Sequence, residues 1–125
     1  MNYTPSREDY LISLYLLREK RGSVRSLDIV QMLGYSKPSV SNGLRLLRQN
    51  DLVWMDAQKF LSLTPEGERQ ARQIYQRYQI VLRFLREVLQ VSEQIAYQDA
   101  CKIEHFISRE TLDRMRAQLP DCDEA

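Results

Sequence analysis

Apolar residues recur every three or four positions in three segments of the first half of the chain, a spacing typical of amphipathic helices. A proline after a hydroxyl residue opens the first segment, Gly22 ends it, and Gly34 ends the second. The predicted helices cover about residues 5–21, 27–33 and 37–50, with Ser26 or Asp28 opening the second. Two helices separated by a glycine turn are typical of the helix-turn-helix motif.

Short β-prone runs replace the helical spacing after this point. Residues 51–55 and 60–64 are two such runs, and the polar residues 56–59 between them predict a turn. Trp54 is expected to pack against this hairpin. A β-hairpin directly after a helix-turn-helix is a wing, so we predict a winged helix-turn-helix over residues 1–64.

The second half of the chain is predicted to be helical throughout. Residues 64–66 repeat the start signal of a hydroxyl residue followed by proline, and the long helix that follows is expected to run to about Leu89. Ser92 and Ser108 are cap candidates for two further helices. The predicted fold class is therefore mainly α: a winged helix-turn-helix with a small β-hairpin wing, plus a helical domain.

Composition and charge mainly exclude alternatives. The 125 residues carry 18 Lys/Arg and 17 Asp/Glu, which excludes a strongly basic protein that coats nucleic acid. Residues 1–64 hold 9 basic and 6 acidic side chains, a formal charge of +3, which suits a half that faces a polyanion; random scatter of surface charge explains it equally well. No apolar run approaches the roughly 18–20 residues of a membrane span. Two cysteines without an export signal predict a cytoplasmic protein.

The third helix has the side chains that a helix in the major groove of DNA needs. Its first turns are rich in hydroxyl and amide groups, which contact phosphates and base edges, and no acidic residue occurs from Tyr35 to Asn50. The predicted DNA-contacting residues are Ser36, Lys37, Pro38, Ser39, Ser41, Asn42, Arg45 and Arg48. The alternative interpretation is a helix cap followed by a solvated face, since winged three-helix units also serve as protein-binding modules.

Cys101, Glu104 and His105 form a second candidate site. Positions i, i+3 and i+4 share one face of a helix, so a thiolate, a carboxylate and an imidazole converge there. These groups are ligands for divalent transition metals, and three of them leave room for a further ligand from elsewhere. The alternative is a structural role, because buried cysteine often behaves as a small apolar residue.

Four stretches, in order over nearly the whole chain, are TPSREDYL (4–11), KPSVS (37–41), LTPEG (63–67) and DACKIEHFIS (99–108). Together they resemble the diphtheria toxin repressor and manganese transport regulator family of metal-dependent repressors. The resemblance implies a DNA-binding domain over residues 1–64 and a helical dimerisation and metal-binding domain over 65–120. The acidic residues 121–125, which follow Pro120, are expected to form a disordered tail. The SH3-like third domain of longer family members is expected to be lacking.

The resemblance also implies the ligands of one metal ion. The family's primary metal position falls on Asp9, Cys101, Glu104 and His105; Asp9 matches the manganese branch and Cys101 the iron branch. At the family's second metal site the chain has Ile12, Tyr78, Leu82 and Tyr97, so a single mononuclear site is expected. Fe(II) or Mn(II) is expected by analogy, with Zn(II) or Co(II) binding in vitro. A decayed site that binds no metal is the alternative.

The function that the resemblance implies is transcriptional repression. A homodimer would bind a pseudo-palindromic operator in double-stranded DNA when the metal joins the two domains. Dimer contacts are expected from apolar residues such as Leu85, Leu89, Ile95 and Phe106. No membrane and no small organic substrate are expected as partners. Catalysis is not expected, because the sequence has no glycine-rich phosphate loop, H-E-x-x-H motif or paired-carboxylate cleft. A winged-helix regulator that senses an organic ligand, or no ligand, is the competing interpretation.

Overall fold

The architecture is mainly α-helical with one small hairpin. The computed structural model describes residues 7–120. Within that range the elements are α1 (Arg7–Arg21), α2 (Ser26–Leu33), α3 (Lys37–Gln49), β1 (Val53–Met55), β2 (Leu61–Leu63), α4 (Pro65–Arg83), a π-helical turn (Phe84–Val88), α5 (Glu93–Phe106) and α6 (Arg109–Ala117). This order confirms the predicted fold class, including the hairpin wing after the helix-turn-helix.

The chain divides into two compact units between Gln73 and Ile74, inside α4. The predicted domain boundary after residue 64 lies at the start of the same helix and stays a prediction. The predicted helix start at residues 4–6 and the acidic tail at residues 121–125 lie outside the described range. No helix within the described range is long and apolar enough to cross a membrane.

The core of the first unit is formed where α1, α2, α3 and the hairpin pack together. Fully buried aliphatic side chains come from each of these elements, as the helical and alternating patterns predict: Leu11, Leu14, Ile29, Val40, Leu44, Leu47 and Leu61. Gly34 ends α2 with a left-handed φ of 74°, and its N–H donates to the carbonyl of Val30 at 2.8 Å. That conformation favours glycine, which explains why the helix stops there.

The wing is a short antiparallel ribbon. Its register pairs Val53 with Leu63, Trp54 with Ser62 and Met55 with Leu61. The turn is closed by Asp56, whose carboxylate accepts the N–H groups of Gln58 and Phe60 at 2.9 Å each. Because successive strand residues face opposite sides, Val53 is buried and Trp54 points outward with 57% of its surface exposed. Trp54 therefore lies on the outer face of the wing, and its packing against the hairpin stays a prediction.

The first turn of α4 is fixed to the end of the wing. The hydroxyl of Thr64 accepts the N–H of Gly67 at 3.0 Å and donates to the carbonyl of Asp51 at 2.7 Å. Gly67 lies so close to the carbonyl of Leu52 that a β-carbon there would be 2.0 Å from the oxygen. The predicted cap at residue 64 is confirmed, and the glycine beside it is required by packing.

The second unit contains the remainder of α4, the π-helical turn, α5 and α6. Its buried core includes Tyr78, Val81, Leu85, Ala100 and Leu112. The long helix predicted to reach Leu89 is regular only to Arg83, after which the turn widens and the N–H of Leu89 donates to the carbonyl of Phe84 at 3.2 Å.

The second unit departs from the sequence predictions at Leu85 and at Ser92. Leu85, expected at a dimer interface, is instead buried in the chain's own core, whereas Leu89, Ile95 and Phe106 are exposed. Ser108 caps α6 by accepting the N–H of Thr111 at 3.1 Å. Ser92 occupies the N-cap position of α5, but its side chain makes no capping hydrogen bond.

Candidate DNA and metal sites

The predicted DNA-contacting residues all belong to α3 or to Ser36, the residue before it. Val40, Leu44 and Leu47 form the buried stripe of α3, which packs into the first unit. The predicted DNA-contacting residues are all exposed: Ser36, Lys37, Pro38, Ser39, Ser41, Asn42, Arg45 and Arg48. The side chain of Arg45 donates to the amide oxygen of Asn42, so two of these groups already contact each other. Their contacts with DNA stay a prediction.

Ser36 has a structural role as the N-cap of α3. Its hydroxyl oxygen accepts the N–H of Ser39 at 3.2 Å, and the same hydroxyl donates to the hydroxyl of Ser39 at 3.0 Å. This capping explains where α3 begins. Both hydroxyls remain exposed, so a cap and a phosphate contact are compatible at this position.

Tyr10 of α1 sets the position of α3. Its phenol donates to the carbonyl of Ser39 at 3.2 Å. Its ring occupies the space beside Gly43, where a β-carbon would lie 2.4 Å from a ring carbon. Burial and the neighbouring charge of Asp9 raise the pKa of Tyr10, which keeps the phenol protonated as a donor. The absence of a side chain at Gly43 is therefore what lets α1 and α3 approach.

Gly43→Ala is expected to destabilise the first unit by about 1–3 kcal/mol, because the added methyl group displaces the buried ring of Tyr10. Urea unfolding of the variant measures this cost. Tyr10→Leu in the same background removes the ring and is expected to recover part of the loss. A Gly43→Ala variant as stable as the parent would show that the ring moves aside freely.

Asp9, the predicted metal ligand of the first unit, is buried in the first turn of α1. The phenol of Tyr35 donates to its Oδ2 atom at 3.3 Å. Tyr35 directly precedes the cap of α3, so the carboxylate is linked to the segment from which α3 begins. Glu8 adds a second, half-buried carboxylate in the same turn. Neither Tyr35 nor Glu8 is among the site residues predicted from the sequence.

The remaining predicted ligands lie on α5. Glu104 is 3% exposed, and its Oε2 atom lies 3.4 Å from Nδ1 of His105, whose side chain is also nearly buried. Cys101 is a half-buried thiol one helical turn earlier. Thiol, buried carboxylate and imidazole on one helical segment are a donor set that fits a divalent transition metal.

Arg77 of α4 contacts the same carboxylate and was not selected from the sequence. Its Nη2 and Nε atoms donate to Oε1 of Glu104 at 3.0 and 3.3 Å. This ion pair joins residues 27 positions apart, with Glu104 buried and Arg77 one-third exposed. The two oxygens of Glu104 therefore face different groups, Oε1 towards arginine and Oε2 towards histidine.

Tyr78 and Tyr97, which stand at positions of the family's second metal site, belong to an aromatic stack in this chain. Tyr78 is buried between Tyr75 and Tyr97, with ring centroids 6.2 Å away on either side. Burial raises the pKa of Tyr78, and the neighbouring charges of Cys101, Tyr97 and Tyr75 raise it further. The stack is consistent with a single metal ion, which stays a prediction.

Comparison with known proteins identifies the relatives of this chain. The family model "Iron dependent repressor, N-terminal DNA binding domain" matches residues 2–60, and "Iron dependent repressor, metal binding and dimerisation domain" matches residues 64–124. The HTH-type transcriptional regulator MntR of Geobacillus kaustophilus is 33% identical over 112 residues, covering 90% of this chain and 79% of that protein. The transcriptional regulator MntR of Escherichia coli O157:H7 is 39% identical over 109 residues, covering 87% and 70% respectively.

Solved structures show the same fold. The crystal structure of T. acidophilum IdeR superposes with a TM-score of 0.84 at 21% identity, covering 94% of this chain and 55% of that one. The manganese regulator SloR superposes with a TM-score of 0.77 at 29% identity, covering 92% and 54%. This chain thus spans about half the length of these two structural neighbours.

The winged helix-turn-helix fold and the two matched family models together define a metal-dependent transcriptional regulator. Within that class, the chain belongs to the iron-dependent repressor family. The family consists of transcriptional regulators and not enzymes, in agreement with the expectation that the chain does not catalyse a reaction. The resemblance to the diphtheria toxin repressor and manganese regulator group is confirmed.

Proposed function

We propose that this protein is a cytoplasmic, homodimeric repressor that binds a pseudo-palindromic operator when it holds one divalent transition metal per chain. The proposed ligands are Asp9 of α1 and Cys101, Glu104 and His105 of α5. The observation that carries the proposal is the pair formed by the buried Glu104 carboxylate and the His105 imidazole on the helix that also carries Cys101. Membership of the iron-dependent repressor family supports it.

The metal is proposed to be Fe(II) or Mn(II). The thiol of Cys101 favours softer ions, including Fe(II), Co(II) and Zn(II), whereas the carboxylates of Asp9 and Glu104 also suit Mn(II). The relatives named above include regulators named MntR and a structure titled as a manganese regulator. Zn(II) and Co(II) are expected to bind in vitro.

The proposed mechanism links the two units by charge. Asp9 and Glu104 carry like charges, so their repulsion opposes any arrangement that brings them together. When bound, a divalent cation supplies the positive charge that attracts both carboxylates. The arrangement in which they share it is the one we propose for DNA binding, with two α3 helices of a dimer entering successive major grooves about 34 Å apart. The free-energy coupling between metal binding and DNA binding is limited to the difference in metal-binding free energy between the two arrangements.

The dimer contact is proposed to use the apolar surface of the second unit. Leu89, Ile95 and Phe106 are large apolar side chains that remain exposed, Phe106 to 75%. The matched family model is a dimerisation as well as a metal-binding domain. Burial of these side chains between two copies would remove apolar surface from water.

Operator selection from random DNA, repeated with chelator and with Mn(II), Fe(II), Co(II) or Zn(II), tests the proposal. We expect a two-fold symmetric site, bound about 5–150-fold more tightly with the cognate metal than with chelator. Equal affinity in chelator would instead support the metal-independent regulator. Sedimentation of the protein–DNA complex measures whether two chains bind each site.

The contribution of α1 is tested by comparing its two neighbouring carboxylates. Asp9→Asn is expected to reduce the metal-dependent gain in operator affinity to below about threefold, whereas Glu8→Gln is expected to retain it. Both variants remove one negative charge from the same turn, so they control for net charge. The reverse result would assign the ligand to Glu8.

A further inference from the structure

Arg77 is a cation already placed at the proposed metal ligand Glu104. Two of its nitrogens lie 3.0 and 3.3 Å from Oε1, while Oε2 of the same carboxylate faces His105. Glu104 is almost completely buried, so its charge is poorly screened by solvent and depends on nearby positive groups. An arginine in this position supplies positive charge whether or not a metal is bound.

We propose that Arg77 sets the sensitivity of the regulator by lowering the metal affinity of the site. The inference rests on the proposed function, because it assumes that Glu104 is a metal ligand. Arg77 stabilises the metal-free site by partnering Glu104, and its positive charge repels an incoming dication. Both effects act in the same direction, since each reduces the free energy gained when metal binds.

The sign of this effect separates it from an ordinary structural role. A residue that only orients Glu104 would, when replaced, loosen the ligand and weaken metal binding; changes in such supporting partners typically cost 10–100-fold in affinity. If Arg77 instead acts as a positive charge that opposes the metal, replacing it with a neutral side chain would give tighter metal binding. Loss of structure does not produce tighter binding, so an increase in affinity is specific to the proposal.

Arg77→Gln is the primary test variant, because glutamine keeps a hydrogen-bond donor and removes the charge. We expect it to bind Co(II) and Mn(II) at least about tenfold more tightly than the parent, since a unit charge near a dication in partly buried surroundings interacts by more than the ~1.4 kcal/mol that tenfold represents. Arg77→Met provides a second neutral side chain. Arg77→Lys keeps the charge and is expected to remain within about threefold of the parent.

Arg72→Gln is the matched control for net charge. Arg72 lies on the same helix, is 63% exposed and pairs with Glu68 at 2.7 Å rather than with α5. Its replacement is expected to leave metal affinity within about twofold, because exposed charges are screened by solvent. Competition against a chromophoric chelator measures affinity, and the Co(II)–thiolate absorption band checks that Cys101 remains a ligand.

Unfolding curves provide the second readout. In chelator, Arg77→Gln is expected to unfold at a lower temperature than the parent, because Glu104 loses the charged group at its Oε1 atom. Saturating Co(II) is expected to raise the melting temperature of the variant more than that of the parent. Weaker or unchanged metal binding by folded Arg77→Gln and Arg77→Met would overturn the inference while leaving the proposed function intact. A parent protein that binds no metal would overturn both.

Discussion

His105→Ala is expected to lose the metal-dependent gain in operator affinity, so that binding in Mn(II) or Co(II) falls to the level measured in chelator. His105 is the only histidine of the chain, and no other imidazole replaces it. Its loss also removes the group that faces Oε2 of Glu104. Fluorescence anisotropy of a labelled operator, titrated with and without metal, measures the loss, which we expect to be about 5–150-fold at saturating metal.

The neighbouring residue Lys102 provides the control for this prediction. It lies on α5 among the proposed ligands but is exposed, so Lys102→Ala is expected to keep the metal response. Circular dichroism in chelator verifies that the His105→Ala variant is folded. A folded variant that still responds fully to metal would remove His105 from the ligand set.

Cys101→Ser extends the same experiment to the choice of metal. Replacing sulfur with oxygen removes the soft donor, so binding of Co(II) and Zn(II) is expected to weaken more than binding of Mn(II). Equal losses for all three ions would indicate that Cys101 supports the helix rather than the metal.

The elements that the sequence predicted correctly have local physical causes. Gly34 permits the left-handed conformation that ends α2, and the hydroxyls of Ser36 and Ser108 satisfy the first N–H groups of α3 and α6. Each effect depends on residues within a few positions along the chain. The fold class and the exposed surface of α3 follow from such signals together with hydrophobic spacing.

The features that the sequence analysis missed depend on contacts between distant residues. Arg77 is one of 18 basic residues, and nothing in its neighbourhood of the sequence distinguishes it as the partner of Glu104. Leu85 has the hydrophobicity of an interface residue, but the packing of α4, α5 and α6 buries it within the chain. The widened turn after Arg83 likewise has no local signal, since its residues suit a regular helix equally well.

The glycine at the start of α4 illustrates a second kind of long-range constraint, and Gly67→Ala is expected to be the most destabilising of the conservative changes considered for the first unit. The new β-carbon would lie 2.0 Å from the carbonyl oxygen of Leu52. That oxygen accepts the N–H of Thr64 at 3.1 Å, so it cannot retreat without weakening the junction between the wing and α4. We expect a loss of about 3 kcal/mol in the free energy of unfolding, measured with urea in chelator.

Gly22→Ala separates this clash from the general cost of replacing a glycine. Gly22 has a φ of +86°, so alanine is strained there by about 1–2 kcal/mol, but no atom lies within 4 Å of the added carbon. At Gly67 the backbone φ does not oppose alanine, and only the lack of space beside Leu52 does. A larger loss at Gly67 than at Gly22 would therefore show that the close approach of α4 to Leu52 is rigid. Equal or smaller losses at Gly67 would show that the wing adjusts, and the fixed junction inferred from Thr64 would be wrong.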